Sequence, residues 1–182
     1  MIEGPIEFEA EVEIDRPAAE VFPLIDMTDP RFGHAQRGAE VQVKGEAREK
    51  ITMTVEQFDD AVFHFTVLER VEGARHKAEC TMVPQLYALV KSIEDYTIEP
   101  QGDAACLVKI VTNAEFDAEL SDEEVANEIA MMSMAVNGDL EKLKVLAEKG
   151  IEAVKAIEQD EFNIEFDLGE LDIDWGDIEP KQ

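Results

Sequence analysis

The sequence predicts an α+β fold in which an antiparallel sheet is followed by a long helix near the C-terminus. The first observation is that apolar and polar residues alternate in short segments separated by turn residues, the pattern of strands with one buried face. The second is a change of period after residue 121, where apolar residues recur every three or four positions, as in an amphipathic helix. A length of 182 residues favours one domain that can bury a core.

The first strand and two short helices are predicted in the N-terminal part of the chain. Residues 6–14 alternate apolar side chains with four glutamates, which predicts a strand with one face in water. Pro17 suits the first turn of a helix, because the amide that proline lacks would have no partner there. A short helix is therefore expected through Ile25, and a second helical turn after Pro30 that closes at Gly38.

Six further strands follow, and turn residues separate each from the next. Their apolar positions are Ala39, Val41 and Val43; Ile51, Met53 and Val55; Phe63, Phe65, Val67 and Val71; Ala78, Cys80 and Met82; Leu86, Ala88, Val90, Tyr96 and Ile98; and Cys106, Val108, Ile110, Ala114 and Phe116. Because the turns are short, consecutive strands pair as hairpins, which predicts an antiparallel meander.

The long helix has a defined start and two possible ends. Ser121 and Glu124 have the spacing of a capping box, in which each side chain binds a backbone amide of the other residue. One apolar stripe then runs through residues 125–154. Gly150 either ends the helix as a left-handed cap or marks a kink, after which the helix continues to about Glu158.

The C-terminal segment differs in composition from the rest. Residues 1–158 are expected to form the domain, and residues 159–182 an acidic extension that contains Phe, Ile and Trp side chains. The extension is either an added strand or strap, which would cover a sheet edge, or a mobile tail. We favour packing, because exposing these apolar side chains to water is costly.

The charge limits the expected partners. The 43 acidic and 16 basic residues give a net charge of −27. No nucleic acid partner is expected, because phosphate binding needs a basic face, and membrane insertion is not expected because no apolar run reaches the length of a span. A solvated surface accounts for the acidity. The alternative is a basic protein partner, which residues 159–182 could bind.

The N-terminus and the cysteines indicate a cytoplasmic protein. The first five residues lack the basic and apolar regions of a signal peptide. Cys80 and Cys106 are too few for a disulfide scaffold and lack metal-ligand spacing, so reduced thiols and no metal or cofactor are expected.

Three segments resemble the START-like (SRPBCC) superfamily, which includes Bet v 1-like proteins and the polyketide cyclase/dehydrase group. Val12-Glu-Ile-Asp-Arg-Pro-Ala-Ala-Glu-Val-Phe22 is similar to the opening strand and first helix of that family. Ile98-Glu-Pro-Gln-Gly-Asp103 is similar to its late hairpin, although Ala104-Ala105 replaces the usual Gly-Thr. Asp139-Leu-Glu-Lys-Leu-Lys-Val-Leu-Ala-Glu148 is similar to its helix end, so the resemblance covers residues 6–150.

The resemblance implies a helix-grip fold, in which a seven-stranded antiparallel sheet curves around the long C-terminal helix and two short helices follow the first strand. It also implies an apolar cavity between sheet and helix. Members of the superfamily bind lipids, sterols, polyketides or quinones. Some are enzymes, many are carriers, and one branch binds a chaperone.

The candidate ligand-binding residues are apolar side chains on the inward parity of the strands and on a second face of the helix. They are Met53, Phe63, Phe65, Met82, Val90, Tyr96, Met131 and Met134. Methionine adapts to irregular ligands, and aromatic rings supply contact area. The alternative is that these residues simply fill the core.

Glu94 is the candidate catalytic residue, together with Tyr96. It lies on the apolar parity of its strand, between Ser92 and Tyr96, and a buried carboxylate is costly unless it is paired or protonated. Burial would raise its pKa and suit it to general acid or base catalysis, or to anchoring a ligand hydroxyl. Glu69 has the same parity near a strand end. A β-bulge that turns either residue outward is the alternative.

The histidines show no metal spacing. His64 has the polar parity of a surface residue, whereas His34 lies at the end of the second short helix, which in this fold is near the cavity mouth. Three functions remain open: binding of a hydrophobic small molecule, a cyclase or dehydratase reaction that uses Glu94, and protein interaction through residues 159–182.

Overall fold

The computed structural model describes residues 5–58, 60–85, 88–117 and 119–169. The elements in chain order are β1 (Ile6–Ile14), α1 (Ala18–Ile25), α2 (Gly33–Gln36), β2 (Glu40–Lys44), β3 (Lys50–Thr54), β4 (Val62–Val71), β5 (Arg75–Val83), β6 (Leu89–Pro100), β7 (Cys106–Phe116), α3 (Asp122–Lys149) and α4 (Ile151–Gly169). A short 3₁₀ turn, Glu56–Phe58, joins β3 to β4. The predicted order of strands and helices is confirmed. Leu86, expected in the sixth of the predicted strands, lies outside the described residues.

All seven strands form one antiparallel sheet in the order β1-β7-β6-β5-β4-β3-β2. Strands β2 to β6 are each paired with the next strand of the chain, which confirms the predicted meander. The alternating pattern of β1 places its glutamates in solvent and its apolar residues toward β7 neighbours such as Val108 and Ile110. The face of the sheet that carries these buried residues is called the inner face below.

Two apolar cores lie on the inner face. The helix core, which α1 and α3 share with β1, β6 and β7, consists of Ile14, Val21, Phe22, Ile25, Ile98, Cys106, Val108, Ile110, Leu140 and Leu143. The loop core, which the segment between α1 and α2 shares with β3, β4 and β5, consists of Met27, Phe32, Ile51, Met53, Phe65, Ala78 and Cys80. Helix α3 contributes to the first core and not to the second.

Helix α3 begins as its sequence predicts. The Ser121 amide donates to Glu124 Oε2 at 2.9 Å, and the Glu124 amide donates to Ser121 Oγ at 3.3 Å, which completes the capping box. In α3, which the structure describes throughout, the first half (residues 122–135) buries only Val125, whereas the second half buries Leu140, Leu143 and Leu146.

The helix is interrupted at Gly150, whose φ of 86° is in the left-handed region that favours glycine. Its amide donates to Leu146 O at 3.0 Å, and α4 starts at the next residue. Gly150 therefore ends α3, as the first alternative predicts, and a separate helix, α4, begins at Ile151 and extends past Glu158 to Gly169. The helical period of the apolar residues continues beyond Gly150, and Val154 is fully buried.

The C-terminal extension does not add a strand in its described part. Residues 159–169 are helical, so the added strand, one of the alternatives for the extension, does not form there. The division of the chain after residue 158 remains a prediction. The rest of the extension, residues 170–182, lies outside the described residues. A protein partner for it remains a prediction.

An ion-pair network joins α2, α3 and α4. Arg37 Nη1 lies 2.9 Å from Asp139 Oδ1, and Arg37 Nε lies 2.8 Å from Glu158 Oε1. Lys142 Nζ is 3.9 Å from the same Glu158 oxygen. Since Arg37 is largely buried, this network holds α4 against the body of the domain. None of the helices in the described part of the chain combines the length and apolarity needed to cross a membrane.

Candidate functional site

The candidate site lies between the inner face of the sheet and the first half of α3. On the sheet side, Phe63 and Met82 are half-buried at the border of the loop core. On the helix side, Ile129 and Met132 belong to the same stripe as Leu140 and are also half-buried. Residues on one stripe of a helix face the same neighbour. Ile129 and Met132 therefore face the sheet, as Leu140 does, but they are less buried than the residues of the helix core.

Two predicted ligand-binding residues of the sheet, Met53 and Phe65, are buried members of the loop core. They form the wall behind Phe63, whose neighbours in the register are Met53 on β3 and Met82 on β5. The sequence pattern therefore brings Met53, Phe63, Phe65 and Met82 together on adjacent strands.

The methionines predicted on the helix are placed differently. Met134 is 75% exposed, and Met131 is 51% exposed. Met134 follows the half-buried Met132 by two residues, which is about 200° around the helix axis, so it points away from the sheet. Met131 lies on the flank of the helix. The prediction that Met134 lines a cavity is therefore corrected, and Met132 occupies the inward position.

Val90 is also not where its parity predicts. Leu89 pairs with Phe116 and Lys91 pairs with Glu115, so the register shifts by one residue between them and Val90 is the extra residue of a β-bulge. On the N-terminal side of the bulge, odd-numbered rather than even-numbered residues point inward. Val90 is 40% exposed. Leu89 takes the inward position that the sequence pattern assigned to Val90.

Glu94 lies on the inner face in a regular part of the sheet. It is opposite Thr112 on β7 and opposite Ala78 on β5, both of which are buried. Burial, followed by the nearby Asp139 carboxylate, raises the pKa of Glu94 from 4.5 to about 7. Part of its surface remains accessible. Within the described residues Glu94 has no hydrogen bond or ion pair.

Tyr96 is next to Glu94 on the same face and packs against the helix core. Burial, together with the charges of Glu94 and Asp139, raises the pKa of Tyr96 well above its ordinary value, so its phenol stays protonated. Burial likewise raises the pKa of the Cys80 thiol, which faces the same region. Glu94 is thus a group of this face that can exchange a proton near neutral pH.

Glu69 is outside the site because of a second β-bulge. The register shifts between Val67 and Glu69, and Glu69 pairs with Lys77 on the outer face. Its carboxylate lies 3.0 Å from Arg75 Nη1. The bulge alternative is confirmed for this residue, and the following residue, Arg70, is the one that turns toward the interior.

A buried Asp26–His76 pair is a feature that the sequence reasoning missed. His76 Nε2 is 3.7 Å from Asp26 Oδ1, and both residues are almost fully buried. Asp26 accepts hydrogen bonds from the Thr28 hydroxyl at 2.7 Å and from Arg70 Nε at 2.8 Å. Burial alone would raise the pKa of Asp26, but these hydrogen bonds outweigh it and leave the pKa lowered.

The position of His76 in its strand predicts that its side chain points inward. It precedes the inward residues Ala78, Cys80 and Met82 at the same spacing, and it lies opposite Tyr96. Burial lowers the pKa of His76, so its imidazole is neutral, and both ring nitrogens lack a hydrogen-bond partner among the described residues.

The other histidines lie at the surface and at the junction of α2 with α3. His64 is exposed, as its parity predicts. His34 Nε2 is 3.7 Å from Asp139 Oδ2, and burial lowers its pKa although Asp139 opposes that shift. Asp139 therefore lies next to both His34 and Arg37, and its charge also raises the pKa of Glu94.

Two open clefts lie elsewhere on the surface. One, of about 530 Å³, is lined by Asp26, Thr28, Asp29, Pro30, Ala47, Arg48, Glu49, Val67, Leu68, Glu69 and Arg70. The other, of about 650 Å³, is lined by Asp15, Arg16, Pro17, Glu20, Asp103, Ala104 and Ala105. Both are dominated by charged and polar side chains, unlike the apolar walls beside α3. Among the described residues, no group of three or more His, Cys, Asp or Glu side chains could hold a metal ion.

Comparison with known proteins gives the fold a name. No protein-family model and no curated protein matches the sequence. Among solved structures, a protein from Rhizobium loti has a TM-score of 0.61 at 15% identity, over 78% of this chain and 96% of that one. A START superfamily protein from Mycobacterium smegmatis has a TM-score of 0.51 at 16% identity, over 77% and 99%.

A further solved structure is a di-domain ARO/CYC protein, BexL, with a TM-score of 0.60 at 14% identity. The match covers 81% of this chain and 46% of that protein. These likenesses show that the chain has the START-like helix-grip fold, as the sequence resemblance implies.

Proposed function

We propose that the protein binds a hydrophobic small molecule, of the size and character of a lipid, sterol, polyketide or quinone, between the inner face of the sheet and the first half of α3. The observation that carries this proposal is the contrast along one helix. The second half of α3 is sealed against the helix core, whereas Ile129 and Met132 in its first half remain half-buried, as do Phe63 and Met82 on the inner face of the sheet. Apolar side chains that converge without closing are typical of a ligand site.

The residue types support the same proposal. Methionine side chains adapt to ligands of irregular shape, and Met53, Met82 and Met132 lie on the two walls. Two structural neighbours, a START superfamily protein and a di-domain ARO/CYC protein, are compatible with a small-molecule site.

A titration with the neutral fluorescent probe Nile red tests this proposal. We expect saturable binding, and we expect Met132→Trp to weaken it about tenfold, which corresponds to about 1.4 kcal/mol, because the indole fills the space beside the helix. Met134→Trp is the matched control, since it adds the same side chain on the opposite face and leaves the affinity unchanged. Absence of saturable binding, or equal effects of the two variants, contradicts the proposal.

A cyclase or dehydratase reaction that uses Glu94 is the second candidate. The observation that favours it is an unpaired, inward carboxyl group whose pKa is about 7, because a general acid or base works best when its pKa is near the operating pH. Tyr96 would assist by hydrogen bonding. Mass spectrometry of linear poly-β-carbonyl compounds incubated with the protein would detect loss of water. A product that forms equally with Glu94→Gln excludes this role for Glu94.

A further inference from the structure

The charged groups around Glu94 extend the proposed function, because they indicate which polar group the ligand would carry. Its closest charged influence is Asp139, which has the same sign. The cation beside Asp139, Arg37, is already held by Asp139 at 2.9 Å and by Glu158 at 2.8 Å. Among the described residues, no cation forms an ion pair with Glu94.

An uncompensated carboxylate in such a position is costly. A partner that supplies the missing hydrogen bond or ion pair in a desolvated site offsets this cost, because charge-assisted hydrogen bonds are the strong ones. The ligand can supply that partner, since Glu94 keeps an accessible surface.

The groups beside Glu94 suit a hydrogen-bond donor. Thr112 is directly opposite, at the about 4.5–5.5 Å that separates the Cβ atoms of paired residues. Its hydroxyl oxygen is buried and has no hydrogen-bond partner among the described residues, so it can accept a hydrogen bond. Tyr96 adds an aromatic ring at the next inward position, and aromatic faces attract cations within about 6 Å.

We infer that the ligand is a hydrophobic amine, whose protonated nitrogen lies at Glu94 and Thr112, and that the site rejects the corresponding carboxylate. This inference rests on the proposed function. The net charge of −27 adds to it, because the field of the whole protein attracts cations and repels anions. A carboxylate at the same place would meet Glu94 and Asp139 without a free cation to receive it.

Three probes that differ only in their polar end test the inference: naphthylethylamine, naphthylethanol and naphthylacetic acid. Calorimetric titration near pH 8 in about 0.5 M NaCl limits nonspecific attraction to the acidic surface, since salt screens exposed charges. We expect the amine to bind about tenfold more tightly than the alcohol, and the acid to bind most weakly.

The Glu94→Gln variant tests whether Glu94 causes the preference for the amine over the alcohol. We expect it to bring the amine and the alcohol to nearly equal affinity, because it removes the charge and keeps the shape. Glu99→Gln is the matched control: Glu99 is an exposed residue of the same strand, and its loss changes the net charge equally. The ratio of amine to alcohol affinity should stay at about ten in this control.

The outcomes separate the inference from the proposed function. If none of the three probes binds saturably, the proposed function fails. If all three bind with equal affinity, or if Glu94→Gln and Glu99→Gln lower the amine affinity equally, the small-molecule site stands and the preference for an amine at Glu94 is wrong.

Discussion

The two halves of α3 belong to one continuous helix but perform different tasks. The second half buries Leu140, Leu143 and Leu146, and it packs on β1 and α1. The first half has the same apolar stripe, yet Ile129 and Met132 remain half-buried. The difference teaches that the apolar stripe reports which side of a helix faces the sheet. It does not report whether that side is sealed or left open.

The largest expected effect tests this contrast through core packing. Leu140→Ala should lower the free energy of unfolding by about 3 kcal/mol, because it removes buried methyl groups and leaves a cavity. Met132→Ala, in the first half, should cost about 1 kcal/mol or less, since its side chain is only half-buried. Urea denaturation measures both. Equal losses would show that the two halves are equally packed.

The next effect concerns the connection between the two cores. Asp26 lies between Ile25 of the helix core and Met27 of the loop core, and Arg70 Nη2 is 2.7 Å from its Oδ2. Asp26→Asn should lower the free energy of unfolding by about 2 kcal/mol, because it removes a charge-assisted bond to a buried group.

Asp29→Asn is the control for that variant. Asp29 Oδ2 is 2.8 Å from Arg31 Nη2, but Arg31 is 65% exposed, and surface pairs contribute about 1 kcal/mol or less. If the two variants lost the same stability in urea, the connection between the cores would not depend on the buried charge.

The pH dependence of stability sharpens the contrast at the open half. Since the pKa of Glu94 rises from 4.5 unfolded to about 7 folded, the folded protein binds more protons between these values. The contribution of Glu94 to stability is therefore highest at low pH and declines as the pH rises through that range. Relative to the wild type, Glu94→Gln should gain about 1–2 kcal/mol between about pH 5 and pH 8, a figure reduced for partial solvent contact.

Urea denaturation at the two pH values checks this result, and Glu99→Gln serves again as the charge-matched control. A wild type that responds to pH in the same way as Glu94→Gln would mean that the Glu94 carboxyl is hydrated in the folded protein.

The smallest expected effect concerns the start of the helix. Ser121→Ala should cost about 0.5–1 kcal/mol, because it removes the acceptor for the Glu124 amide. With few tertiary contacts, the first half of α3 depends more on its cap than the second half does. Hydrogen exchange should therefore accelerate in residues 122–130 and remain unchanged in residues 140–149. Uniform acceleration would contradict the division into two halves.

Much of the fold could be predicted because its signals are local. The alternation in residues 6–14 and the Ser121–Glu124 capping box depend on neighbouring residues, and both are observed. Glu94 could be placed inward by parity because its strand is regular there. Val90 could not, since one extra residue in a bulge reverses parity and leaves no mark in the hydrophobic pattern.

The rest of the candidate site depends on distant parts of the chain. Asp26 and His76 are 3.7 Å apart in space, but on separate elements, and no short pattern joins them. Asp139 affects Glu94 only because α3 crosses the sheet at that point. Met134 is a different case, because the helical period alone places it on the side of α3 opposite Met132.

The bulge in β4 also fixes the alignment of that strand. In a regular strand, Glu69 would take the inward place opposite His76, and it would bring a second carboxylate to Asp26. With the bulge, Arg70 takes that place and pairs with Asp26 at 2.7 Å. A slip of one residue would therefore replace attraction by repulsion inside the protein. The extra residue thus fixes the register of β4. The Asp26 carboxylate, which holds the α1–α2 segment, also favours the correct alignment of this distant strand.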